Sequence, residues 1–204
     1  FGSPYEKPTI TQLDRIKEKG LTLQKQSEAD IRKIIAQNMI AGKIGAVYRG
    51  KAEFGPRALG NRSIIAGASN PKVRDDLNNR FKRREWYQPF CPMILEEDAP
   101  LILENYYVNR HMTCAFTVKQ EYNNLIPAVV HVDGTARAQI ITQQNDFWYE
   151  VLKEVKQQVG LGVALNTSFN LHGRAIVNSI DDALDDFLDC GIDYLILDNL
   201  MITR

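Results

Sequence analysis

The stretch Glu53-Phe54-Gly55-Pro56-Arg57-Ala58-Leu59-Gly60-Asn61-Arg62-Ser63 constrains this chain more than any other. Gly55, Pro56 and Gly60 interrupt any regular element there, so the segment reads as a structured loop. Arg57, Asn61, Arg62 and Ser63 place two guanidinium groups, an amide and a hydroxyl within seven residues. A guanidinium is a rigid fork of donors matching phosphate or carboxylate oxygens, and glycine lets a ligand approach the backbone closely. The chemistry is that of an anion-binding loop. A surface turn whose arginines pair with neighbouring acids has the same composition, and the stretch alone leaves both readings open.

The flanking pattern shows how such a loop would be held. Residues 1–26 are polar and mixed, with a short helix expected around Thr11 to Lys19, and read as a lead-in packed on an edge. Ser27 and Asp30 have capping-box spacing, Ile31, Ile34, Ile35 and Met39 share one helical stripe, and Gly42 supplies the stop. Ile44 to Arg49 reads as a buried strand entering the loop. Beyond it, Val73, Leu77 and Phe81 recur on a helix whose last turn carries Lys82, Arg83 and Arg84. Cations there complement the helix dipole, which is an ordinary structural reason for them.

Pro89 and Pro92 end that helix, Met93 to Glu96 resumes as strand, and Ala99 to Glu104 reads as a short helix. Thr113 to Val118 and Ala128 to Val132 are strand-like, and Asp133-Gly134 is a hairpin-turn signal with Arg137 to Thr142 as the return strand. Trp148, Val151, Leu152 and Val155 form a helical stripe ending at Gly160. Leu161 to Leu165 is an apolar strand opening onto Asn166-Thr167-Ser168-Phe169-Asn170. Ser179 and Asp182 cap a last helix with Ala183, Leu184, Phe187 and Leu188 inward, and Tyr194 to Leu197 closes the sheet. Helices and strands interleave throughout, so the fold class is α/β or α+β with a mixed sheet.

Composition narrows the partners. The 204 residues carry 25 Lys+Arg against 25 Asp+Glu, so no global field draws the chain to nucleic acid or membrane. The charges are unevenly placed: Lys72 to Arg84 has six bases against two acids, and Asp181 to Asp198 has seven aspartates and no base. Cys91, Cys114 and Cys190 are an odd set without a CxxC pair, which fits a reduced cytoplasmic protein with neither disulfide framework nor zinc site. No apolar run approaches the roughly 20 residues of a membrane span. His131 and Asp133 could share a strand face, but two ligands do not make a metal site.

The loop also belongs to a larger pattern. Phe54 to Ser63 (FGPRALGNRS) is followed in order by Lys82 to Pro92 (KRREWYQPFCP), Val132 to Gln139 (VDGTARAQ), and Asn166 to Asn170 (NTSFN) with Gly173. This series resembles the C-terminal domain of the O-carbamoyltransferase family, which includes nodulation carbamoyltransferases and enzymes that carbamoylate cephamycins and tobramycin. The resemblance implies a YrdC-like fold, an open, twisted mixed β-sheet with flanking helices. It implies residues 27–204 as that domain and residues 1–26 as a linker from an N-terminal acceptor-binding domain outside this sequence.

It also implies a half-reaction. Carbamoyl phosphate and ATP, the latter with Mg²⁺, would become a carbamoyl adenylate, which the other domain passes to an acceptor hydroxyl. By motif position Lys82, Arg57 and Arg137 resemble the catalytic cations. Arg62, Asn61, Ser63, Arg84, Asn166, Thr167, Ser168 and Asn170 would bind phosphate and nucleotide, with Gly173 shaping the last loop. No residue is expected to ligate metal directly. Trp86 and Tyr87 could stack on a base, although aromatics beside two prolines are read as plugging the core edge.

Two departures stand out: Gln88 where family members often carry arginine, and Gly173-Arg174-Ala175 where they often show Gly-Glu-Pro. The competing function is a non-catalytic nucleotide- or RNA-binding module using the same basic residues, whose affinity would fall steeply with salt. A docking domain that merely serves the other half is a third.

Overall fold

The computed structural model describes residues 6–204; the first five residues of the expected lead-in lie outside it. In chain order the elements are α1 (Ile10–Glu18), β1 (Thr22–Lys25), α2 (Glu28–Ile40), β2 (Gly45–Tyr48), β3 (Arg62–Gly67), α3 (Pro71–Asp76), β4 (Cys91–Leu95) and α4 (Ala99–Ile102). There follow β5 (Phe116–Thr117), β6 (Thr135–Ala136), β7 (Gln139–Ile141), α5 (Asp146–Val159), β8 (Val163–Ser168), α6 (Ile180–Cys190), β9 (Tyr194–Leu197) and β10 (Leu200–Thr203). Eight strands form one mixed sheet in the order β1-β10-β9-β2-β3-β8-β4-β7.

The period-2 alternation of each central strand feeds two cores. Val47, Ile65, Met93, Ile141, Ala164 and Ile196 face α2 and α5, where they meet Ile31, Ile35, Trp148, Val151 and Leu152. Ala46, Ile64, Ile94, Ile140, Leu165 and Leu195 face the other way, towards Leu77 and Phe81 past the end of α3 and Ala183, Leu184 and Phe187 of α6. Both expected N-caps form: Ser27 accepts from the Asp30 N–H, and Ser179 and Asp182 make a reciprocal box. Gly160 and Gly191 stop their helices with left-handed backbones.

Ahead of Ser27 the expected short helix forms as α1, Ile16 is buried in the core, and β1 packs on the sheet edge beside β10. Several expectations need correction. The Asp133-Gly134 turn forms, but Ala128 to Val132 is not a strand, and Thr135–Ala136 pairs with Phe116–Thr117 instead. The chain then leaves that small sheet, and β7 joins the large one parallel to β4. Tyr194 to Leu197 does not close the sheet, because β10 folds back on it and β9 lies inside, parallel to β2. On α6 the buried face is rotated from the expected one, taking in Asp186 and Cys190 and leaving Leu188 half-buried. No helix among the described residues is long and apolar enough to cross a membrane.

α2 lies close enough to β3 that a Cβ on Gly67 would sit 2.5 Å from the Met39 carbonyl oxygen. Gly67→Ala is therefore expected to destabilise the fold by about 1–3 kcal/mol through forced backbone displacement. Urea unfolding measures it, and an unchanged midpoint would show that α2 can shift freely.

Candidate functional site

Strand direction decides where the four motifs go. β8 runs antiparallel to both β3 and β4, and β7 runs parallel to β4. The starts of β3, β4 and β7 therefore lie at the same sheet end as the finish of β8. FGPRALGNRS leads into β3, KRREWYQPFCP into β4, VDGTARAQ into β7, and NTSFN straddles the end of β8. Segments up to about a hundred residues apart thus meet at one edge.

The 49–62 loop is braced from within. One oxygen of Glu53 accepts the backbone N–H groups of Leu59 (2.7 Å), Asn61 (2.7 Å) and Arg62 (3.2 Å). Beneath it, Trp148 donates to the Gly60 carbonyl, Gln139 to the Leu59 carbonyl, and Asn166 to the Ala58 carbonyl. Gly60 has φ +112° and would drive a Cβ to 2.0 Å from the Trp148 indole nitrogen, so only glycine fits there. Glu53 thus occupies three N–H groups at the end of the loop, which are not available to a ligand.

The structure gives the loop's polar side chains different tasks. Arg62 is fully buried, stacks 3.6 Å over the Tyr48 ring, and donates to the carbonyls of Arg49 (2.7 Å), Gly50 (3.1 Å) and Asn61 (3.1 Å). Asn61 donates to the Lys51 carbonyl, and the Ser63 hydroxyl accepts the Gly60 N–H. These three hold the loop rather than presenting free groups. Arg57 is exposed on its crest.

Past α3 the helix continues as a wider π turn over Leu77–Lys82, and Arg83 ends it in a left-handed conformation with φ 48°. Such turns often occur at functional sites. Lys82 is not an exposed dipole-compensating lysine: it is 3% exposed, and its ammonium donates to the Ser168 carbonyl (2.5 Å), the Asn170 carbonyl (2.9 Å) and Asn170 Oδ1 (2.9 Å). Burial outweighs these oxygens and, helped by nearby Arg84, pushes the ammonium down to about 7. Arg84 lies over Phe90 and donates to Asn78 Oδ1 (2.7 Å), and burial lowers its pKa as well. Buried Asn78, which the sequence reading missed, also fastens the carbonyls of Trp86 and Gln88.

Arg137 reaches this edge from the chain entering β7 and donates to Cys91 Sγ at 3.2 Å. Thr167 and Ser168 still belong to the strand expected to end at Leu165, with Ser168 paired opposite Ser63. Ser168 donates to Asn170 Oδ1 (2.6 Å), and buried Asn166 donates to Gln139 Oε1 (3.2 Å). Asn166 Oδ1 and Arg137 Nε are buried without a hydrogen-bond partner. Lys82, Arg84, Arg137, Ser168 and Asn170 therefore gather at one place, with Arg62 turned away into the backbone. Trp86 and Tyr87 are 64% and 57% exposed, so the expectation that they plug the core is wrong. The reversed charge at Arg174 is spent internally, on Asp186 (2.5 Å) and Asp189 (3.0 Å) of α6. Among the described residues no group of three or more His, Cys, Asp or Glu could hold a metal ion.

The family model for the carbamoyltransferase C-terminus matches residues 36–204. This chain belongs to that family. Protein MJ1058 of Methanocaldococcus jannaschii is 49% identical over 172 residues, covering 83% of this chain and 28% of that protein. Nodulation protein NolO of Bradyrhizobium diazoefficiens is 37% identical over 183 residues, covering 88% of this chain and 33% of its own length. The domain thus spans about a third or less of these relatives. Its fold is that of HypF, solved in a phosphate- and nucleotide-bound form (TM-score 0.61, 20% identity, 83% of this chain and 25% of that one). It is shared with P. abyssi Sua5 in complex with L-threonine (TM-score 0.60, 14% identity, 85% of this chain and 48% of that one). The YrdC-like mixed sheet expected from the motifs is present.

Two measurements test the geometry of this carbamoyltransferase C-terminal domain. Glu53→Ala strips a charged acceptor from three N–H groups and is expected to cost about 2–3 kcal/mol, with Glu53→Gln, which keeps an oxygen, costing less. Equal losses in urea unfolding would mean that the carboxylate is not the brace. For Lys82, the folded chain releases the proton near 7 and the unfolded chain near 10.5, so the unfolded state binds more protons between them and stability rises with pH across that window. Lys82→Met lacks this slope, so wild-type stability relative to the variant should grow from pH 7 upward; a constant difference would show a freely solvated ammonium.

Proposed function

We propose that this domain activates a carbamoyl group: water releases phosphate from carbamoyl phosphate, and the carbamate oxygen then attacks the ATP α-phosphorus, forming carbamoyl adenylate as pyrophosphate leaves. The observation that carries this reading is the convergence of Lys82, Arg84 and Arg137 on the end of β8 beside Ser168 and Asn170. Bringing two polyanions together is opposed by their mutual repulsion, and phosphoryl chemistry depends mainly on positioning and charge neutralisation. Arg137 and Arg84 offer forked donors to phosphate oxygens, and Arg57 on the loop crest adds a cation that can close over them. Lys82, pinned by fixed oxygens, supplies a point charge whose position does not wander.

Arg137 Nε and Asn166 Oδ1, without protein partners, are a donor and an acceptor for a ligand that carries both, as a carbamoyl phosphate does. Mg²⁺ would arrive on the nucleotide phosphates and supply charge neutralisation there. The relatives are about three times longer, which fits transfer to an acceptor hydroxyl in a separate domain. The balanced charge and free cysteines fit a cytoplasmic enzyme.

Purified chain with Mg²⁺, ATP and carbamoyl phosphate is expected to release pyrophosphate, and Lys82→Ala, Arg57→Ala and Arg137→Ala each to slow that release by more than tenfold. Unchanged rates in all three variants would remove this site from the reaction. Tight, salt-sensitive RNA binding without any response to carbamoyl phosphate would favour the non-catalytic alternative.

A further inference from the structure

α6 carries a carboxylate where its apolar stripe should continue. Asp186 lies between Ala183 and Cys190 on the inward face and is 3% exposed. A carboxylate so buried needs partners. One oxygen accepts the Leu171 N–H at 3.0 Å, and the other takes Arg174 Nη1 at 2.5 Å. Both contacts fall on the turn that follows β8.

The same turn holds Lys82 from its other side. Asn170 donates its amide to the carbonyls of Leu171 (3.0 Å) and Arg174 (2.8 Å), which fixes the amide nitrogen on the Asp186 side. Asn170 Oδ1 must then point the opposite way, towards Lys82 Nζ and the Ser168 hydroxyl. Asp186 orders Leu171 and Arg174, those order Asn170, and Asn170 orders the ammonium.

We propose that Asp186 is a positioning residue for Lys82, acting through the turn at residues 169–174 and through its negative charge. The titratable groups acting on the ammonium are few: Arg84 from its own segment, and from α6 Asp186 and Cys190, whose thiol is pushed by burial up to about 11 and so stays neutral near pH 7. Arg84 disfavours the charged form, and Asp186 favours it. The aspartate thus favours the state a phosphate-binding ammonium requires. Arg174, seated outside Asp186, partly neutralises that help. The inference rests on the reading of Lys82 as the phosphate-site cation, and it gives the charge reversal at position 174 a role: it adjusts a buried carboxylate rather than touching the ligand.

The test reads Lys82 directly. The ¹³Cε chemical shift of Lys82, followed against pH in wild type, Asp186→Asn and Arg174→Gln, gives the ammonium midpoint without reference to activity. Asp186→Asn keeps an oxygen for the Leu171 N–H and removes the charge, so its midpoint should fall by about half a unit or more. Arg174→Gln uncovers the carboxylate and should move the midpoint upward. The upper limb of the pH profile for pyrophosphate release should move in the same two directions. A merely structural Asp186 would lower stability and rate at every pH and leave the midpoint in place, which overturns the proposal. If Asp186→Asn does not fold, Arg174→Gln decides alone, and an unmoved midpoint there is equally fatal. Absence of pyrophosphate release from wild type would strike the proposed function, while the order of midpoints would still decide whether Asp186 governs Lys82.

Discussion

The antiparallel setting of β8 between β3 and β4 is the constraint on which the rest depends. A strand that opposes both neighbours puts their starts beside its own finish, whatever the loops contain. Three chain entries and one exit are thereby delivered to a single edge. The edge collects cations because three of those four segments carry them, and like charges gathered in one place repel. The fold answers with fixed oxygens more than with carboxylates: carbonyls of Arg49 and Gly50 face Arg62, and oxygens of Ser168 and Asn170 face Lys82. Carbonyl oxygens neutralise only partly, so an edge held this way retains net attraction for an anion. Of the acids that do approach, Glu53 points at backbone N–H groups, and Asp186 divides its oxygens between the Leu171 N–H and Arg174.

The two buried cations solve different problems. Arg62 cannot shed its proton, so its burial calls for oxygen partners, and the planar fork stacked on Tyr48 provides a geometry that suits carbonyls on several sides. A lysine at that position would reach fewer of them. Lys82 can shed its proton, so burial lowers its pKa to about 7 instead of demanding full compensation. One cation is a structural rivet and the other is poised near neutrality. Both belong to family motifs, and a motif match alone could not tell them apart.

Much of this was legible in the sequence. Capping pairs, glycine stops and apolar stripes located α2, α5 and α6 within a residue or two, because those signals are local. The four motifs located the edge. What escaped was non-local. Whether Asp133-Gly134 joins two long strands depends on which partners reach them, and β5 took the short one. Trp86 and Tyr87 looked like core because burial is a property of what packs against a segment, and little packs there. Glu53, Gln139, Asn78 and Asp186 were passed over because each acts on backbone groups brought close only by folding. Of these, Asp186 alone left a trace in the sequence, as a carboxylate in register with a buried stripe.

The π turn explains why Lys82 could be misread as an exposed lysine. In an α-helix each residue advances about 100°, so the neighbour of a buried Phe81 would stand well off the apolar face. A wider turn shortens that angular step, and Phe81 and Lys82 then both point inward. Closing such a turn leaves Arg83 in the left-handed region, which is unfavourable for a side chain of its size. The chain tolerates that local cost because the following residues are tied down: Arg84 through its N–H to the Asn78 carbonyl and its Nε to the Asn78 side chain, and Trp86 and Gln88 through the same amide. Asn78, itself in the irregular turn, therefore ties it to the residues that follow, and the inward ammonium is a consequence of that fastening as much as of its own oxygen ligands.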